Sequence, residues 1–303
     1  MELLADRYSM QPRVDKSRLT PSCFPCMSQW LQALILGAVQ GLTEFLPVSS
    51  SGHLVLFQEW LGSNFFAAGE EELFAVVLHL GTLLPILWFY RRDIGQSIAA
   101  LRPDEQLSKL GLSSWLRADE GRWLSVLVLI GTVPTGLMGV GLHDKFTALF
   151  SSPVKVSMAL LVTGALLLAT RLVSEERAGT ARLAIWSALL IGFVQGCAIT
   201  PGISRSGSTI AVALFLGLAR AEAARFSFLL SVPAILGAVI LQARDGLSLE
   251  GLDAAPLLLG FVSSAAVGYL SLVALVALVN RGKLYQFTWY LWPLGVTALV
   301  LLH

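Results

Sequence analysis

The feature that most constrains this chain is a short stretch that it contains twice. Residues 37–54 read Gly-Ala-Val-Gln-Gly-Leu-Thr-Glu-Phe-Leu-Pro-Val-Ser-Ser-Ser-Gly-His-Leu, and residues 192–209 read Gly-Phe-Val-Gln-Gly-Cys-Ala-Ile-Thr-Pro-Gly-Ile-Ser-Arg-Ser-Gly-Ser-Thr. At a constant offset of 155 and without a gap, seven of the eighteen positions are identical. They pair Gly37 with Gly192, Val39 with Val194, Gln40 with Gln195, Gly41 with Gly196, Ser49 with Ser204, Ser51 with Ser206 and Gly52 with Gly207. Each copy is an apolar segment too short to cross a bilayer, then a Pro/Gly/Ser turn, then a second short apolar segment. Such a helix–turn–helix can dip into a membrane and return to the side it came from. Its irregular tip survives there only where protein or a water-filled cavity surrounds it. Broken helices at matching places in two halves of a chain point to a membrane-embedded site at the tips.

Composition agrees with a membrane setting. Of 303 residues 55% are hydrophobic and only 14% charged, and the mean hydropathy is +0.71, which is the range of polytopic membrane proteins. A net charge of +1 singles out no partner. With no basic patch interleaved with aromatics, nucleic acid is not expected. Three cysteines cannot form a disulfide framework. Cys23-x-x-Cys26 lacks the second ligand pair of a metal site, and Cys197 in its apolar run reads as a small core residue. Residues 1–26 carry Arg7, Arg13, Lys16 and Arg18, have no apolar run of signal-peptide length and end in Pro21 and Pro25. They read as a disordered extension, with Met27 opening the hydrophobic part.

Beyond the two half-helix pairs (about 29–46 with 52–62, and 182–199 with 207–219), six stretches approach the ~20 residues a bilayer demands. They run roughly over 73–90, 123–142, 154–172, 226–243, 255–279 and 287–302. Glu70-Glu71-Glu72 is expected in a loop after the first pair, and 91–122 in a loop between the first two spans. Trp30, Trp60, Trp88, Trp123, Trp186 and Trp289 fall near predicted segment ends, as an interfacial belt would. Outside the tail and Arg205, 13 of the remaining 16 Lys and Arg residues fall on one side of this layout, and Lys145, Lys155 and Arg244 on the other. The positive-inside rule places the 13 in the cytoplasm. Three spans separate the two re-entrant pairs, so the first enters from outside and the second from the cytoplasm. The expected fold is therefore an all-α polytopic membrane protein: an inverted-topology repeat with six transmembrane helices plus two re-entrant helix-turn-helix pairs. A single membrane domain covers 27–303, with repeat one over about 29–172 and repeat two over about 182–303.

The tips hold the polar residues. Gln40 and Glu44, at i and i+4, share a helix face. Ser49, Ser50 and Ser51 lead into the next half-helix, with Gly52 allowing close backbone approach and His53 following. Opposite stand Ser204, Arg205, Ser206, Gly207, Ser208 and Thr209. Two helix N-termini facing each other with an Arg fork and several hydroxyls suit a phosphate or diphosphate. The differences between the copies matter as much as the identities: Glu44, Ser50 and His53 stand where the second copy has Ile199, Arg205 and Ser208. A hydroxyl and an imidazole within one turn make a nucleophile–base arrangement. A carboxylate beside a polyanion calls for a cation, so Glu44, with Gln40, is the candidate ligand of Mg²⁺ or Ca²⁺. The plainer alternatives are helix capping by Ser49, Ser51 and Ser206 and a structural Glu44–Arg205 ion pair. His79, in the first span, reads as a hydrogen-bonded structural histidine. Ionisable groups at mid-membrane depth nonetheless cost ~2.5–3.5 kcal/mol on insertion scales and are functional candidates by default.

The stretch from Gln40 to His53, taken with Pro201 to Thr209, resembles the two signature regions of the undecaprenyl-diphosphate phosphatase family, the bacitracin-resistance membrane type. The similarity runs from about Met27 to the C-terminus. It implies hydrolysis of a C55 polyprenyl diphosphate to the monophosphate, which recycles the carrier lipid of peptidoglycan synthesis, gives bacitracin resistance and requires a divalent cation. It also implies a multi-pass protein of the bacterial cytoplasmic (inner) membrane with its site opening to the outer, periplasmic side. The family motif is Glu-or-Gln-x-x-x-Glu, and Gln40 is the variant that leaves one carboxylate at the metal position. Glu44, Ser50, His53 and Arg205 are then the catalytic set. Ser49, Ser51, Gly52, Ser204, Arg205, Ser206, Gly207 and Thr209 are the phosphate-binding set. Ser50 is the candidate nucleophile with His53 as acid/base, and a water activated by His53 or Glu44 is the rival. Expected partners are the polyprenyl diphosphate and membrane lipids, with a homodimer left open. A polyprenyl-phosphate flippase or other secondary transporter is the alternative class, because inverted repeats with re-entrant pairs are also transporter architecture.

Overall fold

The structure, a computed structural model, describes residues 29–61, 70–102, 109, 111–142, 145–146, 149, 152–174, 179, 182–244 and 254–302. The N-terminal extension, with Cys23 and Cys26, and the connection at 62–69 lie outside the described residues.

The described elements are all helical. In chain order they are α1 (Gln29–Phe45), α2 (Ser50–Leu61), α3 (Glu70–Phe89), α4 (Arg91–Ala100), α5 (Leu112–Arg117), α6 (Glu120–Gly141), α7 (Pro153–Ala169), α8 (Ile185–Cys197), α9 (Arg205–Phe215), α10 (Arg220–Arg244), α11 (Ala254–Asn280) and α12 (Thr288–Leu301). Short 3₁₀ turns, Thr170–Leu172 and Leu284–Phe287, extend α7 and lead into α12. Four helices, α6, α7, α10 and α11, are long and apolar enough to cross a membrane, and α3 with α4 makes a fifth if that pair, bent by 75°, counts as one span. The last expected span, 287–302, is the 14-residue α12.

Both half-helix pairs form where the repeat predicts them, with small shifts at the tips. Helix α2 begins at Ser50 and α9 at Arg205, two residues earlier than the sequence suggested, because the caps sit further upstream. Ser49 Oγ accepts from Gly52 N (3.2 Å), and Ser204 Oγ accepts from Gly207 N (3.1 Å). Both caps and both donors are positions identical in the two copies. A side-chain cap satisfies one of the N–H groups that a helix start leaves without an intrahelical acceptor.

The halves cross in matching ways. Helix α1 packs along α11, and α8 packs along α6. A Cβ on Gly37 would lie 2.5 Å from the Gly260 carbonyl oxygen, and one on its repeat mate Gly192 would collide with the Gly131 carbonyl. Each crossing is further tied by a hydroxyl on the opposing backbone: Ser263 Oγ donates to Leu34 O (2.8 Å) and Thr135 Oγ1 to Gly192 O (2.8 Å). Small residues let membrane helices approach closely where apolar burial gives little drive for association. At the tips the correspondence repeats, Gly52 against Gly202 and Gly207 against Pro47. A core of Phe45, Val48, Ile210, Leu214, Phe226, Phe228 and Leu230 surrounds them. Outward-facing Leu129, Leu137, Val140, Leu258 and Leu270 are exposed, as a lipid-facing surface requires.

Two segments expected as loops are helical. Glu70 opens α3, which takes in the acidic run. Residues 91–122 contain α4 and α5 rather than a plain loop. Arg122 organises this region: its guanidinium donates to the carbonyls of Ala100 (2.7 Å) and Trp115 and lies 3.5 Å from the Trp115 ring centroid. Asp93 of α4 pairs with Arg225 of α10 (2.6 Å), docking α4 onto the second half. These are long-range contacts that local periodicity does not register. Of the tryptophans assigned to a belt, Trp30, Trp88, Trp186 and Trp289 are exposed, while Trp123 packs against the core and the Trp60 side chain lies outside the described residues.

Candidate active site

The two tips bring four helices onto one carboxylate. Glu44, at the end of α1, is buried. Its Oε1 accepts from Arg205 Nη2 of α9 (2.8 Å). Its Oε2 accepts from Ser50 Oγ of α2 (2.8 Å) and from Gln40 Nε2 one turn back (3.0 Å). His79 of α3 places Nε2 3.9 Å from the same oxygen. An ionised carboxylate only accepts, so the Gln40 amide must turn its nitrogen toward Glu44 and its oxygen away.

That orientation leaves two unfilled valences beside the ion pair. Gln40 Oε1 and Arg205 Nη1 are both buried without a hydrogen-bond partner. Native interiors rarely tolerate this without a ligand or water. One orphan is an oxygen awaiting a donor or a cation, and the other a guanidinium N–H awaiting an anion. Arg205 and Ser206 open α9, so their backbone N–H groups add to the anion-binding side.

The remaining predicted residues divide. Ser49 Oγ is consumed as the α2 cap and also accepts from Gly202 N across the tips (3.0 Å); its own backbone takes φ 68°, a left-handed conformation costing ~1–3 kcal/mol for a non-glycine residue. Ser51 Oγ lies 3.4 Å from Ser49 Oγ, and Ser206 Oγ lies 3.3 Å from Ser204 Oγ, so the capping alternative describes these hydroxyls well. Gly52 and Gly207 supply close approach and cap donors. The Thr209 hydroxyl is bonded to the Arg205 carbonyl (2.8 Å) and to Ser227. Ser208 is buried with its hydroxyl unpartnered. Among the predicted site residues, Gln40, Glu44, Ser50 and Arg205 meet directly.

His53 is near but not joined to Ser50. Its Nδ1 bonds the Ser49 carbonyl (2.8 Å) and its Nε2 bonds the hydroxyl of Tyr290 from α12 (2.7 Å). In this arrangement the acceptor for the Ser50 proton is Glu44. Two further residues, His79 and Tyr290, were given no part in the site by the sequence reading. His79 donates from Nδ1 to Ala75 O (2.7 Å), as a structural histidine does, yet this same bond leaves Nε2 facing Glu44. Tyr290 adjoins Trp289 in what read as an interfacial belt. The only sequence signal for either was a polar group in an apolar helix.

Among the described residues, no three His, Cys, Asp or Glu side chains gather as a metal cage. The donors present, one Glu44 oxygen and the unpartnered Gln40 oxygen, are hard oxygen ligands of the kind Mg²⁺ and Ca²⁺ take. They are too few to hold a cation alone, and the Gln40 oxygen, turned away from the carboxylate here, would have to rotate toward Glu44 to share one with it and with a phosphate.

Fold and site define a multi-pass helical membrane protein with a buried Glu–Arg–Ser centre between two helix–turn–helix tips. Residues 33–297 match the family described as bacitracin resistance protein BacA, and the chain belongs to that family. It is 44% identical to an undecaprenyl-diphosphatase of Desulfatibacillum aliphaticivorans over 89% of this chain and 98% of that protein. It is 45% identical to one of Desulfosudis oleivorans over 89% and 97%, and 40% identical to one of Halothermothrix orenii, again over 89% and 97%.

Proposed function

We propose that the chain is an undecaprenyl-diphosphatase, hydrolysing the diphosphate to undecaprenyl phosphate and inorganic phosphate. Within the site, the reading is carried by the two buried orphans flanking the Glu44–Arg205 pair, an N–H for a phosphate oxygen and an amide oxygen for a cation. Arg205 Nη1 and the α9 N-terminus hold the terminal phosphate, and Arg matches its oxygens as a fork. Ser50 Oγ attacks the terminal phosphorus while its proton passes to Glu44 Oε2, 2.8 Å away. The bond from that phosphorus to the bridging oxygen breaks, and its electron pair leaves with undecaprenyl phosphate. Water then attacks the phosphoserine phosphorus and keeps its protons on the inorganic phosphate released, while Glu44 returns the proton it took to Ser50 Oγ as that oxygen leaves. Direct attack by a water that Glu44 activates is the rival route, and trapping of phosphate on Ser50 distinguishes the two. Arg205 and the helix N–H groups offset charge developing on the phosphoryl oxygens. A divalent cation, Mg²⁺ or Ca²⁺, held by Glu44 and Gln40, would withdraw further charge from those oxygens.

The same reading has six transmembrane helices and an inverted repeat, supported by the matched crossings of α1 on α11 and α8 on α6 and by the 13-to-3 division of basic residues. It sets the protein in the bacterial inner membrane with the site opening outward. The transporter alternative has only the architecture in its favour.

The test is phosphate release from undecaprenyl diphosphate by purified protein in detergent, with and without EDTA. The expected result is release that EDTA abolishes and Mg²⁺ or Ca²⁺ restores. Folded protein that binds the lipid and releases no phosphate under any cation overturns the reading.

A further inference from the structure

We propose that Tyr290 is a positioning residue for His53, fixing the tautomer and direction of the imidazole at the tip; this rests on the phosphatase reading above. A backbone carbonyl can only accept, so the 2.8 Å contact with Ser49 O puts a proton on Nδ1. In the neutral ring Nε2 is then a lone pair, and the Tyr290 hydroxyl at 2.7 Å is its donor. The second nitrogen of a functional histidine is set by what holds the first. Here both are held, one by the strained backbone of the α2 cap and the other by a helix 237 residues further along the chain.

Tyrosine suits the position better than any donor-only side chain. A hydroxyl donates to a neutral ring and accepts from a protonated one, so Tyr290 can keep its partner in place whichever state His53 adopts. The rings also lie nearly parallel, 10° apart with centroids at 5.7 Å, which adds a packing constraint that a water could not supply. Access differs between the two. His53 is 4% exposed and Tyr290 48%, so the imidazole is enclosed while its tyrosine partner reaches the surface. A phosphate oxygen can take the place of the Tyr290 hydroxyl only when His53 is protonated and Nε2 donates, because an oxygen anion cannot bond to a lone pair. Tyr290 thus makes α12, the last helix of the second half, part of the machinery on the first half's tip.

The variant that isolates the hydroxyl is Tyr290→Phe, which keeps the ring and its stacking. With undecaprenyl diphosphate as substrate, kcat is expected to fall about 5- to 10-fold, the scale of one lost hydrogen bond, with KM within about twofold. Because Tyr290 acts through His53, the double variant with His53→Ala is expected to be no slower than His53→Ala alone. A second measurement does not depend on turnover. In ¹⁵N-histidine-labelled protein, the His53 signals, identified by their loss in His53→Ala, are expected to report the Nδ1–H tautomer and to shift in Tyr290→Phe. Wild-type kcat in Tyr290→Phe, losses that multiply in the double variant, or His53 signals unmoved by the substitution each overturn the inference. If the wild-type protein releases no phosphate, the phosphatase reading falls and the nitrogen signals alone decide whether Tyr290 holds His53.

Discussion

At the scale of single residues, labour is divided between the repeat copies. Most positions identical in both copies build: Ser49 and Ser204 cap, Gly52 and Gly207 donate to those caps, and Gly37 and Gly192 admit a crossing helix, while Gln40 also reaches Glu44. Positions that differ carry the Glu44–Arg205 pair and the Ser50 hydroxyl bonded to Glu44. That asymmetry was legible from two aligned stretches, because a buried carboxylate and guanidinium have few reasons to sit at membrane depth. The pairing of Ser50 with Glu44 was not legible, because sequence spacing favoured His53 and the tip turns the imidazole toward α12. Arg205→Ala removes the partner of Glu44 and the free phosphate donor together. It should lower turnover ~10²–10³-fold, the scale of a lost transition-state donor, with a smaller effect on KM. Arg205→Lys should be severely impaired as well, since an ammonium cannot serve Glu44 and phosphate as a planar fork does. Steady-state kinetics over a range of lipid and Mg²⁺ concentrations measure both. Near-normal turnover in Arg205→Ala would make the ion pair structural.

At the scale of elements, periodicity and length located the helix–turn–helix pairs and the long apolar helices within a few residues. They failed on α4 and α5, whose stability comes from Arg122, Trp115 and the Asp93–Arg225 pair rather than from a local pattern. Helix crossings give a direct test. Gly37→Leu at the α1–α11 crossing and Gly131→Leu at the α6–α8 crossing should each lower the thermal midpoint in detergent, overpacking typically costing ~1–3 kcal/mol. Gly136, on the same helix as Gly131 but with open space where a Cβ would go, should accept alanine with no loss. A midpoint unchanged by both leucines would mean that the crossings are looser than the glycine contacts indicate.

At the scale of the whole molecule, orientation rests on charge. With 13 basic residues on one side, a single cysteine introduced at position 106 should resist an impermeant maleimide added to intact cells, while one at position 70 should react. The reverse pattern would invert the protein and turn its site toward the cytoplasm. The sequence predicts this topology through its count of Lys and Arg. The repeat offset carried the correspondence of the halves. Neither could specify which helix of one half lies on which helix of the other, because that depends on the shape of small-residue faces and not on hydropathy.

The exchange of partners between the halves also imposes an order on biosynthesis. Helix α1 reaches the membrane early, yet the face that carries Gly37 and Gly41 is completed by Gly260, Ser264 and Gly268 of α11, which is translated more than 200 residues later. The first half is therefore inserted with an open seam, and synthesis must nearly finish before that seam can close. A ribosome that stalls after α10 leaves in the bilayer a protein with most of its helices and an unfinished first crossing, the kind of surface by which membrane quality control can tell an incomplete chain from a complete one.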